Sequence, residues 1–164
     1  MPIEQISPAL ASIVSQDQPI EELAAGFGND NGPAEGPLWW KEGGYLLFSD
    51  IGNNRRMKWE LGSGATVFQE LTTFANGLTR DVQGRLIACD RTPRVVRTEP
   101  DGSLTVVANN YQSKRLNRPN DVVVKSDGSI YFTDPGAPAP GMALDLRGSL
   151  PSLCGPGHPY SLGP

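Results

Sequence analysis

The sequence has little of what disulfide-stapled, membrane-spanning or nucleic-acid-binding proteins need. Its 164 residues include only two cysteines, Cys89 and Cys154, which we expect to be reduced because two thiols do not make a disulfide framework. No apolar run approaches the length of a membrane-spanning helix, and the first 40 residues lack the Lys or Arg that begins a secretory signal. The net charge of -4 argues against a nucleic-acid surface. These absences predict a soluble cytoplasmic protein with no membrane and no nucleic-acid partner.

What the sequence does contain is a repeated strand pattern rich in turn residues. The chain has 19 glycines and 15 prolines, which suits a β fold better than a helical one. Three segments begin with Gly, continue through apolar residues and end in Asp: "GYLLFSD" (44–50), "GRLIACD" (84–90) and "GSIYFTD" (128–134). Their glycines are 40 and 44 residues apart (44 to 84 to 128), close to the period of a propeller blade.

Further strand-like runs flank each of these segments and predict four short antiparallel strands per unit. That pattern indicates an all-β fold and favours a β-propeller over a sandwich or meander, which does not need units matched strand for strand. The blades are predicted at 33–73 and 74–114, with the start of a third at 115–134. The sequence therefore predicts a partial propeller of about two and a half blades.

The two ends of the chain do not follow the blade pattern. Residues 1–32 are predicted to form an N-terminal arm, in which 17–26 could make one helical turn. Residues 135–164 form a tail rich in Pro and Gly, for which a disordered end is the plainest interpretation. A second hypothesis is a shifted reading frame from about residue 147, because the alternative frame can encode a strand, a turn and another strand.

An oxygen-bearing side chain opens the first strand of every unit. Asn76 and Asn120 each lie eight residues before the glycine of their hairpin, and Glu35 lies nine before its own, as if the first turn held one more residue. Because the innermost strands of a propeller surround its channel, we expect these three side chains to face a common space. Carboxylate and amide oxygens suit a hard cation such as Ca²⁺. The alternative is that they are ordinary turn residues that bond the local backbone.

Three aspartates also recur in register, each at the end of a second strand. They are Asp50, Asp90 and Asp134. Their place directly before a turn favours capping or turn bonding over a role in a channel site.

These motifs resemble a known family. The stretches "EGPLWW", "ANGLTRD" and "RLNRPNDVVVKSDGSIYFTDP", within about residues 33–135, are similar to the family of gluconolactonases, senescence marker protein (regucalcin) and luciferin-regenerating enzyme. The resemblance implies a six-bladed β-propeller with a divalent metal in its channel, usually Ca²⁺, with Zn²⁺ or Mn²⁺ possible. It also implies hydrolysis of a sugar lactone, a small-molecule substrate.

The resemblance assigns roles to individual residues. It implies that Glu35 and Asn120 are metal ligands and that Arg118 and Asp121 contact the substrate, with Asn76 as a further substrate-binding candidate that faces the channel. The family's remaining ligands, an Asn and the Asp expected to act as general base, belong to later blades that this sequence does not include. The catalytic residue is therefore left unassigned.

Some alternatives remain open at this stage. Nothing in the sequence suggests a Ser-His-Asp triad, since the single histidine, His158, lies in the tail. A non-catalytic propeller that serves as a binding scaffold is the other function class that we consider. We expect the chain to be a truncated form of the propeller. Because half a propeller leaves strand edges open, we expect the chain alone to be marginally stable and inactive as an enzyme. Oligomeric state and the identity of the lactone are not predicted.

Overall fold

The computed structural model describes residues 3–135, and almost all of its regular structure is β. The first sheet contains four strands in sequence order, all antiparallel: β1 (Ala34–Trp40), β2 (Tyr45–Asp50), β3 (Arg55–Glu60) and β4 (Gly64–Glu70). The second sheet repeats this order with β5 (Leu78–Arg80), β6 (Leu86–Asp90), β7 (Arg94–Thr98) and β8 (Leu104–Ala108). These two sheets are the blades that the repeat predicts.

A third unit begins after a small ribbon that the sequence did not suggest. The ribbon pairs β9 (Asn110–Tyr111) with β10 (Lys114–Arg115). The third unit follows as the antiparallel pair β11 (Val122–Val124) and β12 (Ile130–Phe132). The described residues therefore contain two full blades and the first hairpin of another, which confirms the predicted partial propeller.

The length of the first hairpin turn agrees with the spacing argument. That turn spans residues 41–44, between the paired residues Trp40 and Tyr45. The backbone hydrogen bonds that close the second and third turns leave only residues 82–84 and 126–128 between them. The predicted additional residue in the first turn is confirmed, and it leaves the opening residues of the three inner strands equivalent.

The N-terminal arm lies against the first blade instead of forming a helix at 17–26. The indole N–H of Trp59 donates a hydrogen bond of 3.1 Å to the carbonyl of Leu23, and the ring of Phe27 meets the ring of Phe48 edge-on. Of the two alternatives for 17–26, a helical turn or an arm, the stretch takes the arm, and the carbonyl of Leu23 docks it on Trp59. A 3-10 helix occurs earlier, at Pro8–Ser12, where the hydroxyl of Ser7 accepts the N–H of Ala9.

The core consists of two clusters, each shared between neighbouring units. All five residues of β6 are buried, and consecutive side chains of a strand point to opposite faces. One face of β6 packs against Leu47 of the first blade, and the other face packs against Val122 and Ile130 of the third unit. The second blade is thus covered on both sides, so each blade depends on its neighbour for burial.

The first recurring aspartate, Asp50, holds the turn after the second strand of its blade. The buried carboxylate of Asp50 accepts hydrogen bonds from the N–H of Gly28 (2.7 Å), the amide of Asn53 (3.0 Å) and the guanidinium of Arg55 (2.7 Å). Burial by itself raises the pKa of Asp50, but these donors together hold that pKa below its ordinary value.

The other two aspartates differ from each other. Asp90 accepts the N–H of Thr92 and the guanidinium of Arg94. Asp134 instead accepts the N–H groups of Asn117 and Arg118, in the segment that leads into its own unit. The prediction of turn bonding is confirmed for Asp50 and Asp90, and Asp134 anchors more distant backbone.

The structure bears only in part on the expectations about membrane segments and about the tail. In residues 3–135 there is no helix long and apolar enough to cross a membrane. The tail from residue 136 onward, with its hypothetical frameshift near residue 147, lies outside the described residues. The cytoplasmic location stays a prediction.

Candidate functional site

Each inner strand has an irregularity at its predicted site residue. In the first blade the pairing of β1 with β2 is regular at Glu35, which lies opposite Ser49, and slips by one residue before Leu38. Over this stretch β1 therefore has one residue more than its partner, which is a β-bulge. Bulges bend a strand and redirect its side chains, so this one determines where Glu35 points.

The second and third units contain a bulge at the equivalent place. The N–H of Asn76 donates to the carbonyl of Cys89 (2.9 Å), while the N–H of Cys89 donates to the carbonyl of Gly77 (3.0 Å). Two residues of the inner strand thus lie opposite one residue of its neighbour. The third unit repeats these bonds with Asn120, Asp121 and Thr133. All three site positions are therefore placed by the same backbone device.

A glycine after each of the first two site residues lets the next unit approach. A Cβ on Gly36 would lie 2.4 Å from the carbonyl oxygen of Asn76, and the positive φ of Gly36 (62°) also disfavours a side chain. A Cβ on Gly77 would lie 2.6 Å from the carbonyl oxygen of Asn120. The bulge leaves the N–H of Gly77 free to donate to this same oxygen, at 2.8 Å. The inner strands are therefore in backbone contact exactly where the site residues lie.

These contacts bring four of the predicted residues to one cavity of about 500 Å³. Its wall contains Glu35, Asn76, Asn120 and Asp121, together with Gly36, Pro37 and Leu78. Glu35 is exposed at the cavity, whereas the two asparagines are half-buried. Three consecutive units thus contribute oxygen-bearing residues to a common space, as the repeat register predicts.

The side-chain oxygens of three of these residues have no partner among the residues that the structure describes. Within residues 3–135, the side chains of Glu35, Asn76 and Asn120 make no hydrogen bond or ion pair, which distinguishes them from ordinary turn residues. A carboxylate with two amide oxygens is the kind of set that a hard cation binds. The chemistry of these three side chains therefore fits a divalent cation, which would bind to their oxygens. In the same part of the chain no three His, Cys, Asp or Glu side chains cluster as a metal site, so the two amide oxygens are the donors that would accompany the Glu35 carboxylate here.

Two predicted substrate residues differ from this group. The carboxylate of Asp121 lines the cavity, but its Oδ1 accepts the N–H of Val122 at 2.9 Å, which is local backbone bonding. Arg118 is exposed and does not line the cavity wall; its backbone N–H is held by Asp134 at 2.5 Å. Its guanidinium makes no ion pair with any residue of the described range. The substrate contacts of both residues stay predictions.

Sequence reasoning missed the residues that hold the site from behind. Gly36 and Gly77 follow the first two site residues directly, and their recurrence was a usable signal for close backbone approach. Ser49, Cys89 and Thr133 occupy one equivalent position, directly before the recurring aspartate of each unit. Cys89 is fully buried in the core cluster around Ile87, so its side chain is part of the packing, and this burial raises the pKa of its thiol to about 12.

The four-stranded sheets, their shared cores and the inner strands around a cavity define the class of this protein as a β-propeller. Its family follows from comparison with known proteins. Residues 33–153 match the model of the SMP-30/gluconolactonase/LRE-like region, and the chain belongs to that family. The resemblance read from the sequence motifs is confirmed.

Individual relatives agree with this assignment. A gluconolactonase of Zymomonas mobilis is 33% identical over 148 residues, which are 81% of this chain and 40% of that protein. A gluconolactonase structure from Xanthomonas campestris has a TM-score of 0.58 and 38% identity over 62% of this chain and 34% of its own. A putative gluconolactonase structure has a TM-score of 0.62 and 34% identity, and the match covers 70% of this chain and 39% of its own.

The matched relatives are considerably longer than this chain. The chain spans about 40% of the length of the Zymomonas gluconolactonase and a similar share of the two solved structures. The comparisons therefore cover only part of the length of these relatives, and the activity of a whole propeller is a matter for proposal.

Proposed function

We propose that this protein serves metal-dependent hydrolysis of a sugar lactone, with Ca²⁺ as the expected cation and Zn²⁺ or Mn²⁺ as alternatives. The observation that carries the proposal is the single cavity lined by Glu35, Asn76 and Asn120, whose side-chain oxygens are unused by the protein in residues 3–135. Membership of the gluconolactonase family supports the reaction class.

In this proposal the chain's own residues divide into two groups. Glu35 and Asn120 would hold the cation, since the carboxylate supplies charge and the amide a neutral oxygen. When bound, a divalent cation polarises a lactone carbonyl and favours deprotonation of water. Asn76 can supply a further amide oxygen to the cation or form hydrogen bonds with sugar hydroxyls at the cavity wall. Asp121 can accept hydrogen bonds from those hydroxyls, and Arg118 can orient the substrate.

Proton transfer is the part of the reaction for which we assign no residue. A general base must be within hydrogen-bond reach of the attacking water. Of the two acidic residues at the cavity, Glu35 is proposed to bind the cation and Asp121 is engaged by the backbone of Val122. We therefore assign the general base to none of residues 3–135.

A calcium titration of the purified protein tests the metal site. We expect Ca²⁺ to raise the midpoint of thermal unfolding, because a ligand at roughly 100 times its dissociation constant stabilises the native state by about 2.7 kcal/mol. Glu35→Gln keeps the side-chain shape but removes the charge, and it is expected to abolish most of this shift.

The matched control for this titration is Glu42→Gln. Glu42 lies in the turn at the far end of β1 and forms an ion pair with Arg80, away from the cavity wall. We expect this variant to respond to Ca²⁺ like the wild type. Equal calcium shifts in all three proteins, or none in the wild type, contradict the metal site. Acid release from a sugar lactone in a pH-stat that requires Ca²⁺ supports hydrolysis and contradicts a binding scaffold.

A further inference from the structure

Ser49 is a buried hydroxyl at the boundary between the first two blades. It lies in β2 directly opposite Glu35, and it is 1% exposed. Because alternate residues of a strand share a face, Ser49 points the same way as Leu47, which packs against the second blade. The hydroxyl is therefore directed from the strand beside Glu35 toward the blade that carries Asn76.

The hydroxyl makes one short hydrogen bond across this boundary. The Oγ of Ser49 donates to the backbone carbonyl of Asn76 at 2.6 Å. The same carbonyl oxygen lies against Gly36, where a Cβ would come within 2.4 Å. The Asn76 backbone is thus clamped between the residue that follows Glu35 and the residue paired with Glu35.

The next blade boundary holds its asparagine in a different way. There the carbonyl of Asn120 accepts the backbone N–H of Gly77 at 2.8 Å. Cys89 occupies the position in the second blade that Ser49 occupies in the first. A backbone donor cannot be removed by exchanging a side chain, whereas the clamp on Asn76 depends on the Ser49 hydroxyl.

We propose that Ser49 is a positioning residue, whose buried hydroxyl fixes the Asn76 carbonyl and thereby orients Asn76 toward the cavity that it shares with Glu35. This inference rests on the proposed function, because the orientation matters through cation binding at that cavity. Groups that orient the ligands of a metal commonly change its affinity by roughly 10- to 100-fold when they are removed. An unpaired buried carbonyl also favours rearrangement of the backbone that carries it.

The three equivalent positions suggest a set of substitutions that this fold tolerates. They hold Ser, Cys and Thr in the first, second and third units. Ser49→Thr keeps a hydroxyl donor, Ser49→Cys keeps the approximate size with a much weaker donor, and Ser49→Ala removes the donor. Cys89→Ala is the matched control, because it truncates the equivalent buried side chain at the boundary that a backbone donor holds.

Two measurements on the full chain separate positioning from general stability. The side-chain amide signals of Asn76 in ¹⁵N-correlated NMR spectra report its orientation without any metal, and calorimetric titration with Ca²⁺ reports affinity. We expect Ser49→Ala and Ser49→Cys to shift the Asn76 signals and to weaken calcium binding roughly 10-fold. The calcium affinity of Ser49→Thr and of Cys89→Ala should stay within about 2-fold of the wild-type affinity, whatever the thermal midpoints of these variants.

The outcomes distinguish this inference from the proposed function. Unchanged Asn76 signals in Ser49→Ala overturn the positioning role whether or not metal binds. Shifted signals with unchanged calcium affinity also overturn it, as does a Ser49→Cys variant that behaves like Ser49→Thr. If the wild type binds no Ca²⁺, the proposed function fails and the role of Ser49 at a cation site fails with it, even where the signals move.

Discussion

At the scale of single residues, Asp50 shows how a recurring polar side chain can be structural. Its carboxylate is fully buried and accepts hydrogen bonds from the N-terminal arm, the following turn and β3. Glu35, in contrast, is exposed at the cavity and unpaired within residues 3–135. Both are acidic residues at repeated positions, and only their surroundings separate an anchor from a candidate ligand.

The first prediction concerns the pH dependence that Asp50 contributes. Its folded pKa lies below the value in the unfolded chain, so the stabilisation is fully present above about pH 4–5 and is lost as the pH falls below that. Asp50→Asn should lower the free energy of unfolding by about 2 kcal/mol at pH 7, because it removes a charge-assisted bond to Arg55. Urea unfolding at a series of pH values should show this difference shrinking toward pH 3.

The control for Asp50 is Asp127→Asn in the third hairpin turn. The ammonium of Lys125 and the N–H of Ser129 lower the pKa of Asp127 to about 2, but its side chain is exposed. We expect a smaller loss of stability there. A difference between wild type and Asp50→Asn that stays constant down to pH 3 contradicts the role of the charge.

At the scale of elements, the decisive contacts are those between inner strands of successive units. β1, β5 and β11 each begin at a bulge, and the first two approach the next unit through a glycine. The link from the first blade to the second is also unusual, since Leu71, Thr73 and Phe74 all have positive φ angles. The Oδ1 of Asn54 accepts the N–H of Phe74 at 2.7 Å, which holds this strained link in place.

The second prediction separates close approach from backbone strain. Gly36 and Gly102 both have positive φ angles, 62° and 83°, but only Gly36 has a backbone atom within reach of an added Cβ. Both alanine variants place a side chain in the left-handed region, which lowers the free energy of unfolding. Gly36→Ala should lower it by about 1–3 kcal/mol more than Gly102→Ala, because its Cβ also overpacks against the neighbouring backbone. Chemical denaturation measures both losses. Equal losses would show that β1 and β5 can separate at no cost.

At the scale of the whole molecule, the blades are joined by shared cores. The cluster around Leu47 joins the first blade to the second, and the cluster around Ile87 joins the second to the third unit. Within residues 3–135, each core cluster contains side chains from both of the units that meet at that boundary. We therefore expect the described units to unfold together.

The third prediction uses the location of the three tryptophans. Trp39, Trp40 and Trp59 all belong to the first blade, whereas Ile87 is fully buried at the far face of the second. Ile87→Ala should destabilise by about 2–4 kcal/mol through a cavity. If unfolding is cooperative, the tryptophan fluorescence transition moves to lower urea together with the circular dichroism transition. A fluorescence midpoint that stays in place shows that the first blade unfolds independently.

The sequence alone determined the repeat, because the period-2 pattern and the turn glycines of each hairpin are local signals. From that register the spacing of Glu35, Asn76 and Asn120 could be predicted, including the longer first turn. The 3-10 helix at Pro8–Ser12 and the ribbon at 110–115 could not be predicted, since short elements depend on where the chain docks.

Only the tertiary structure decided which groups anchor the repeated aspartates and which oxygens at the cavity stay unpaired within residues 3–135. Sequence spacing places Asp50 and Glu35 equally well on repeated strands, but the partners of Asp50 come from residues 28 and 55, and Glu35 is left unpaired within the described chain. The clamp from Ser49 to Asn76 likewise joins residues 27 positions apart. Such contacts depend on how two blades pack, and a local pattern carries no information about that packing.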